Sequence, residues 1–238
     1  AAGICQFRLL FNTTKVCQIR VDFVDTYLAL PTYGECVNQY LLVTGTIRPL
    51  GVKRFCGINS NQHFYIDLDE GMQFRFTDFI LNTVEIGLAY RFGLWITKID
   101  CTAQDNLQAP FGCFQYYLDG SGMIHSFNFE GRQYLINTAY RICIRNLRNA
   151  CSIEFRARAE DFSLQSHGRG NTRSGVGTAQ CDTDYILIPQ GRATLSASQS
   201  NDRFCGGVLN SVNQRTEAEP VMSNNSSNHH IYIYNRVS

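Results

Sequence analysis

The four residues Arg-Phe-Cys-Gly occur twice, at 54–57 and at 203–206, and the landmarks leading up to them recur in the same order. Upstream of the first copy stand "CVNQYLLV" from Cys36, then "RVDFVDTYLAL" at 20–30, then Cys17 and Cys5. Upstream of the second stand "CDTDYILI" from Cys181, then "RARAEDFSLQ" at 156–165, then Cys151 and Cys143. A chance match decays at once, whereas an internal repeat keeps its order of landmarks. Two copies of one domain is the economical reading, and 238 residues is enough chain for two modest cores.

Ten cysteines in this length, even in number, widely spaced and without a Cys-x-x-Cys pair, argue against zinc and for disulfides, hence for an oxidising compartment and a secreted, extracellular protein. The alternative is that one pair remains as reactive thiols. The opening "AAGICQF" carries no visible leader, which fits a processed or incomplete chain. Asn12, Asn224 and Asn225 head Asn-x-Ser/Thr triplets and are candidate glycan acceptors. The least demanding connectivity joins sequence neighbours, Cys5 to Cys17, Cys36 to Cys56, Cys101 to Cys113, Cys143 to Cys151 and Cys181 to Cys205, with corresponding cysteines pairing alike.

Apolar residues make up 44% and charged ones 17%, too apolar for a disordered chain and without the long uncharged run of a membrane span. A net charge of +1 leaves no global field to attract nucleic acid or anionic lipid. Short alternating runs such as "CQIRVDF", "QHFYIDL", "MQFRFTDF", "LWITKI", "YRICIR", "CSIEF", "DYILI" and "HIYIYN" predict strands, and turn-forming pieces such as "PTYGE", "LDEG" and "LDGSG" break them. Many short strands at regular spacing predict an all-β sandwich or barrel. The polar stretch "TAQDNLQAPFG" divides the chain into a first domain at 1–101, a linker at 102–112 and a second domain at 113–238. A Cys101 to Cys113 bond would clamp that linker.

Each half resembles a CUB domain, in the divergent form found in tandem in secreted arthropod proteins. The resemblance rests on "GSGMIHSFNF", "YRICIR", "CDTDYILI" and "RFCGG" in the second half and on "VCQIRVDF", "RFCGINSNQH" and "LWITKIDC" in the first. It covers nearly the whole chain but falls short at both ends, with an opening strand lacking before Cys5 and a closing strand lacking after "IYIYNRVS"; either the chain is a fragment or an edge is completed by another chain. The resemblance implies two tandem antiparallel jelly-roll sandwiches that recognise other proteins, in some members through calcium held by the Asp of Cys-x-x-Asp and a Glu after the preceding strand. Asp184 fills the first position in the second half, but Gln165 stands near the second. In the first half Gln39 replaces the Asp. Calcium wants several oxygen ligands with carboxylates among them, so no cofactor is expected and Asp184 is left as a weak calcium candidate.

No nucleophile stands beside a base in a recognisable pattern, the five histidines are scattered, and "GRGNTRSGVG" lacks the Gly-Lys-Ser/Thr ending of a phosphate cradle. Trp95 in "GLWITKI" is read as core. The expected function is therefore non-catalytic: a module binding other extracellular proteins, or else a structural subunit binding copies of itself in a filament, sheath or coat. For the module, Arg169, Arg173 and Arg192 in the polar loops around Cys181 are the binding candidates. For the subunit, "TKVCQIRVDF" and "HHIYIYN" are the expected open strand edges.

Overall fold

The structure, a computed structural model, describes residues 3–68, 75–83, 90–103, 107–146, 150–164, 172–224 and 229–235. Among them the regular structure is all β apart from two single 3-10 turns. The strands are β1 (Gly3–Phe11), β2 (Val16–Tyr27), β3 (Tyr40–Thr44), β4 (Arg54–Phe55), β5 (His63–Asp67), β6 (Arg75–Thr83), β7 (Arg91–Asp100) and β8 (Gln115–Tyr117). They continue with β9 (Thr138–Ile144), β10 (Ile153–Phe155), β11 (Ser174–Val176), β12 (Tyr185–Gly191), β13 (Asn201–Gly206), β14 (Val221–Ser223) and β15 (His229–Asn235). Two compact units result: Ala1–Tyr116 with Met123–Thr138, and Tyr117–Gly122 with Ala139–Ser238.

The first unit holds a four-stranded antiparallel sheet, β1-β6-β3-β4, and a three-stranded one, β5-β2-β7. Alternation sends Ile19, Val21 and Phe23 of β2 and Phe64 of β5 inward, and Phe55 and Phe79 of the other sheet are likewise buried. Phe55 lies between the layers, with ring centroids 5.4 Å from Phe23 and 4.8 Å from Phe64, while Phe127 closes the cluster at 5.0 Å from Phe55. Burying each such ring contributes about 2 to 3 kcal/mol, so this aromatic centre dominates the stability of the sandwich.

The second unit holds the strands β11-β13-β12-β15-β9, in that order in one sheet, and the pair β10-β14. Its core gathers Ile142, Ile188, Phe204 and Val221, all buried. Gly191, at the irregular end of β12, leaves room for the Phe204 ring and for Val221 of the second layer.

The repeated phrase marks a corner that only glycine fits. Gly57 and Gly206 have φ of 76° and 92°, the left-handed region that a β-carbon disfavours. Gly57 bonds through its backbone to Leu28 and Ala29, and Gly206 to Leu164 in both directions.

Cys36 is bonded to Cys56 and Cys181 to Cys205, but the remaining neighbour pairs do not form. Cys17 is bonded to Cys101, Cys113 and Cys143 are also in disulfides, and Cys5 and Cys151 are exposed free thiols. The reason is sheet membership. Cys5 lies on β1 in one sheet and Cys17 on β2 in the other, whereas the pairing of Val16 with Asp100 sets Cys17 beside Cys101 across adjacent strands. Cys143 on β9 and Cys151 ahead of β10 are likewise in different layers.

With Cys101 taken, the end of the linker is held in another way. The buried Gln18 side chain accepts from the Ala109 N–H at 2.9 Å and donates to Asp67 at 2.7 Å, while the Gly112 N–H donates to Asp67 at 3.1 Å. Both segments expected to be open edges are interior: β2 lies between β5 and β7, and β15 between β12 and β9. Pairing on both sides satisfies their backbone groups and leaves no template for another chain.

Candidate protein-interaction face

The outer face of β5-β2-β7 carries the side chains that alternate with the core set. Arg20 of β2 lies across from Tyr65 and Thr97, and Asp22 across from His63 and Trp95. Directly opposed residues share a face, so these six lie on one side of the sheet, with His63 and Tyr65 buried and the others reaching its surface. Beyond Asp22 the register with β7 shifts between Phe23 and Asp25, which makes Val24 an extra, bulged residue. The bulge returns Asp25 and Tyr27 to the outer face opposite Gly93 and Arg91.

Trp95 is 67% exposed and Val24 58%, with Tyr27 also exposed. The reading of Trp95 as core is therefore corrected. Leu94 and Ile96 take the inward phase of β7, and Trp95 between them must point out. That signal was present in "LWI", where three consecutive large apolar residues cannot all face one way.

Hydrogen bonds tie together the residues beneath the patch. The Arg20 guanidinium donates to both Asp22 carboxylate oxygens, with the shortest bond 2.7 Å, and to the Tyr65 hydroxyl at 3.3 Å. Burial pushes the Tyr65 phenol up from its ordinary range. The His63 ring is buried against the Tyr116 backbone, its Nε2 3.1 Å from the Tyr116 nitrogen. Burial, with the Arg20 charge adding to it, pushes its pKa down to about 4, so it is neutral at ordinary pH. Arg91 pairs with Asp25 at 3.1 Å and lies over the Tyr27 ring at 6.0 Å. Exposed Trp, Tyr and Arg on a stiff sheet are the side chains that dominate protein interfaces, because they bury much area at small entropic cost.

The two arginine candidates among the described residues, Arg173 and Arg192, do not gather. Arg169 lies outside the described residues, as does Gln165. Arg173 precedes β11, whose Ser174 pairs with Gly206 at one end of β13, while Arg192 follows Gly191, which pairs with Asn201 at the other. Five strand steps separate these ends, roughly 17 Å. The Arg192 guanidinium also serves its own loop, donating to the carbonyls of Gln190 at 3.2 Å and Ala197 at 3.4 Å.

Asp184 is buried. Its counterpart Gln39 accepts from the Ala29 N–H at 3.0 Å, a loop-holding bond. Among the described residues no three His, Cys, Asp or Glu side chains are grouped to hold an ion. Asn12 is exposed in the turn after β1, Asn224 is half-buried after β14, and Asn225 lies outside the described residues. No helix among the described residues is long and apolar enough to cross a membrane.

Disulfides and an all-β sandwich are typical of extracellular proteins. The model of the animal CUB domain matches residues 110–235, more than half of the chain, and the chain belongs to that family. CUB domains are in general non-catalytic interaction modules. No curated protein matches. Solved structures similar to this chain include the CUB1-EGF-CUB2 domain of human MASP-1/3, at 13% identity and a TM-score of 0.32, covering 98% of this chain and 88% of that one. The CUB1-EGF-CUB2 domains of rat MASP-1 give the same identity and score, covering 100% and 87%.

Proposed function

We propose that this chain is a secreted, non-catalytic module of two tandem CUB-like jelly-roll domains, at 1–101 and 113–238, that binds another extracellular protein through the Trp95 face. The observation that carries the site is Trp95, exposed beside Asp22 and Arg20 on a sheet whose underside is a packed aromatic core. Support for two domains comes from strand order. The order β1-β6-β3-β4 in the first unit parallels β9-β15-β12-β13 in the second, and β5-β2 parallels β14-β10. The bond from Cys101 back to Cys17 and the start of the family match at residue 110 support the boundary. Arg173 and Arg192 remain separate, weaker contact candidates, and the second domain is proposed to work without calcium.

The test is binding of a partner isolated from native extracellular fluid, compared between the parent chain, Trp95→Ser and the Arg173→Ala/Arg192→Ala double variant. Loss of affinity confined to Trp95→Ser is expected. Equal affinity of Trp95→Ser and the parent would remove this face from consideration.

A structural subunit joined by strand edges is the second reading, and β1 is what favours it. Among the described residues this nine-residue strand pairs with β6 alone, and it exposes Ile4, Leu10 and the Cys5 thiol. Light scattering that finds monomers over a wide concentration range would rule that reading out.

A further inference from the structure

Arg75, Thr77 and Phe79 take alternate positions at the start of β6 and so share its inward side, with Phe11 and Leu9 of β1 directly across from the first two. Arg75 is only 7% exposed. Its Nη2 donates to the carbonyls of Thr13 at 2.5 Å and Val16 at 2.7 Å, which fixes the guanidinium beside the turn between β1 and β2. Nε and Nη1 are fully buried and find no acceptor in the protein. The Thr77 hydroxyl, two residues along the same face, is also fully buried and without a partner. Buried polar groups are nearly always bonded and buried charges paired, so two such side chains on one face mark a place where something else is held.

Among the described residues no carboxylate pairs with Arg75. Asp78 takes the opposite side of β6 and pairs with Arg8 at 2.6 Å. Asp100, across from Val16 on β7, accepts from the N–H of Thr102 at 2.9 Å and from its hydroxyl at 2.6 Å. The charge that does approach has the same sign: the exposed Lys98 ammonium lies 5.5 Å from the centre of the Phe11 ring, the ring directly across from Arg75. The carbonyls of Thr13 and Val16 satisfy two donors without cancelling the charge that carries them.

We infer that Arg75 and Thr77 hold a small monovalent anion of the chloride type inside the first unit. Water would give the open N–H groups and the hydroxyl a partner but would leave the guanidinium charge buried and uncompensated. One negative charge neutralises it, whereas a doubly charged anion would leave a net negative charge in the interior. All the protein groups offered are donors or neutral carbonyls, and the Lys98 ammonium adds positive potential to the same corner, so the electrostatics favour an anion over any cation. The site is distinct from the Trp95 face and serves the folded state itself: an anion bound there and not by the unfolded chain stabilises the first unit as its concentration rises above its dissociation constant.

The experiment titrates the 238-residue chain with sodium chloride, exchanged against sodium gluconate to hold ionic strength constant, and reads both the chloride NMR line width and the urea midpoint. The parent chain is expected to broaden the chloride resonance, and sodium bromide to reverse the broadening by competition. Its urea midpoint should rise as chloride goes from about 1 mM to about 100 mM. Arg75→Gln removes the charge while keeping an N–H donor, and should cut the broadening about tenfold and make the midpoint indifferent to chloride. Thr77→Val keeps the guanidinium and the side-chain shape, and should weaken chloride binding several-fold. A parent chain that neither broadens the resonance nor responds to chloride overturns the site, because water or a carboxylate of the chain would then be meeting Arg75. Equal broadening by the parent and by folded Arg75→Gln also overturns it, since the anion would then sit elsewhere. The parent titration and Thr77→Val keep the test in force if Arg75→Gln fails to fold.

Discussion

A β-carbon placed on Gly57 would collide with the side-chain oxygen of Asn128, which accepts a hydrogen bond from the Ile58 N–H at 2.9 Å. Asn128 is itself fully buried, with φ of 61°, so it cannot withdraw without exposing that donor to an apolar interior. At Gly206 the obstacle is the Arg173 carbonyl. Backbone conformation and close approach therefore coincide at both corners. Gly57→Ala and Gly206→Ala should each destabilise the chain by about 2 kcal/mol or more, read as a lower urea midpoint at unchanged slope. A loss below about 0.5 kcal/mol at either position would contradict the corner geometry.

The two characterised disulfides of the first unit close loops of different length. Cys36 and Cys56 are 20 residues apart and Cys17 and Cys101 are 84 apart. Loop entropy predicts that the double variant Cys36→Ala/Cys56→Ala loses about 3 kcal/mol and Cys17→Ala/Cys101→Ala about 4.5 kcal/mol. Denaturant unfolding of the two variants side by side checks the order. Peptide mapping of the parent should recover Cys17 joined to Cys101 and not to Cys5.

His63 gives a stability that depends on pH in a definite direction. Its folded pKa, about 4, lies below the ordinary 6.5 because burial disfavours the charged ring. Between those values the unfolded chain binds more protons than the folded one, so stability is full above about pH 6.5 and is lost as the pH falls toward 4. The loss attributable to this group is about 3 kcal/mol. His63→Gln keeps an acceptor for the Tyr116 N–H and removes the titration. The stability difference between pH 7 and pH 4 should therefore shrink in the variant, and an unchanged difference would mean that the ring is hydrated.

Trp95 and Phe23 are both large and aromatic but should respond oppositely to truncation. Trp95→Ser removes an exposed ring and should change unfolding free energy by less than about 0.5 kcal/mol. Phe23→Ala opens a cavity among Phe55, Phe64 and Phe127 and should cost about 3 to 5 kcal/mol. A large loss from Trp95→Ser would return that residue to the core and withdraw it from the proposed face.

Much of the strand content was legible because alternation is written locally: Ile19, Val21 and Phe23 declare the inward side of β2 without reference to any other strand. The outward side of β7 was legible in the same way, although the size of the Trp95 ring suggested burial. Two things had no local signature. Disulfide pairing across strands depends on which strands are neighbours, and neighbours are set by sheet order, so Cys17 finds Cys101 and not the closer Cys5. Loop charges depend on where strands end, and the run of β13 puts Arg173 and Arg192 at opposite ends.

By itself the sequence determined the all-β class, the recurrence of the cysteine-glycine corner and the apolar phase of individual strands, since each follows from side-chain size, branching and spacing within a few residues. Tertiary structure alone decided the partner of Cys17, the clamp of Gln18 on Ala109 and the exposure of the Trp95 face. These depend on which distant strands lie side by side, and that choice is made by the packing of the whole sandwich, a sum over contacts that no short stretch of chain encodes.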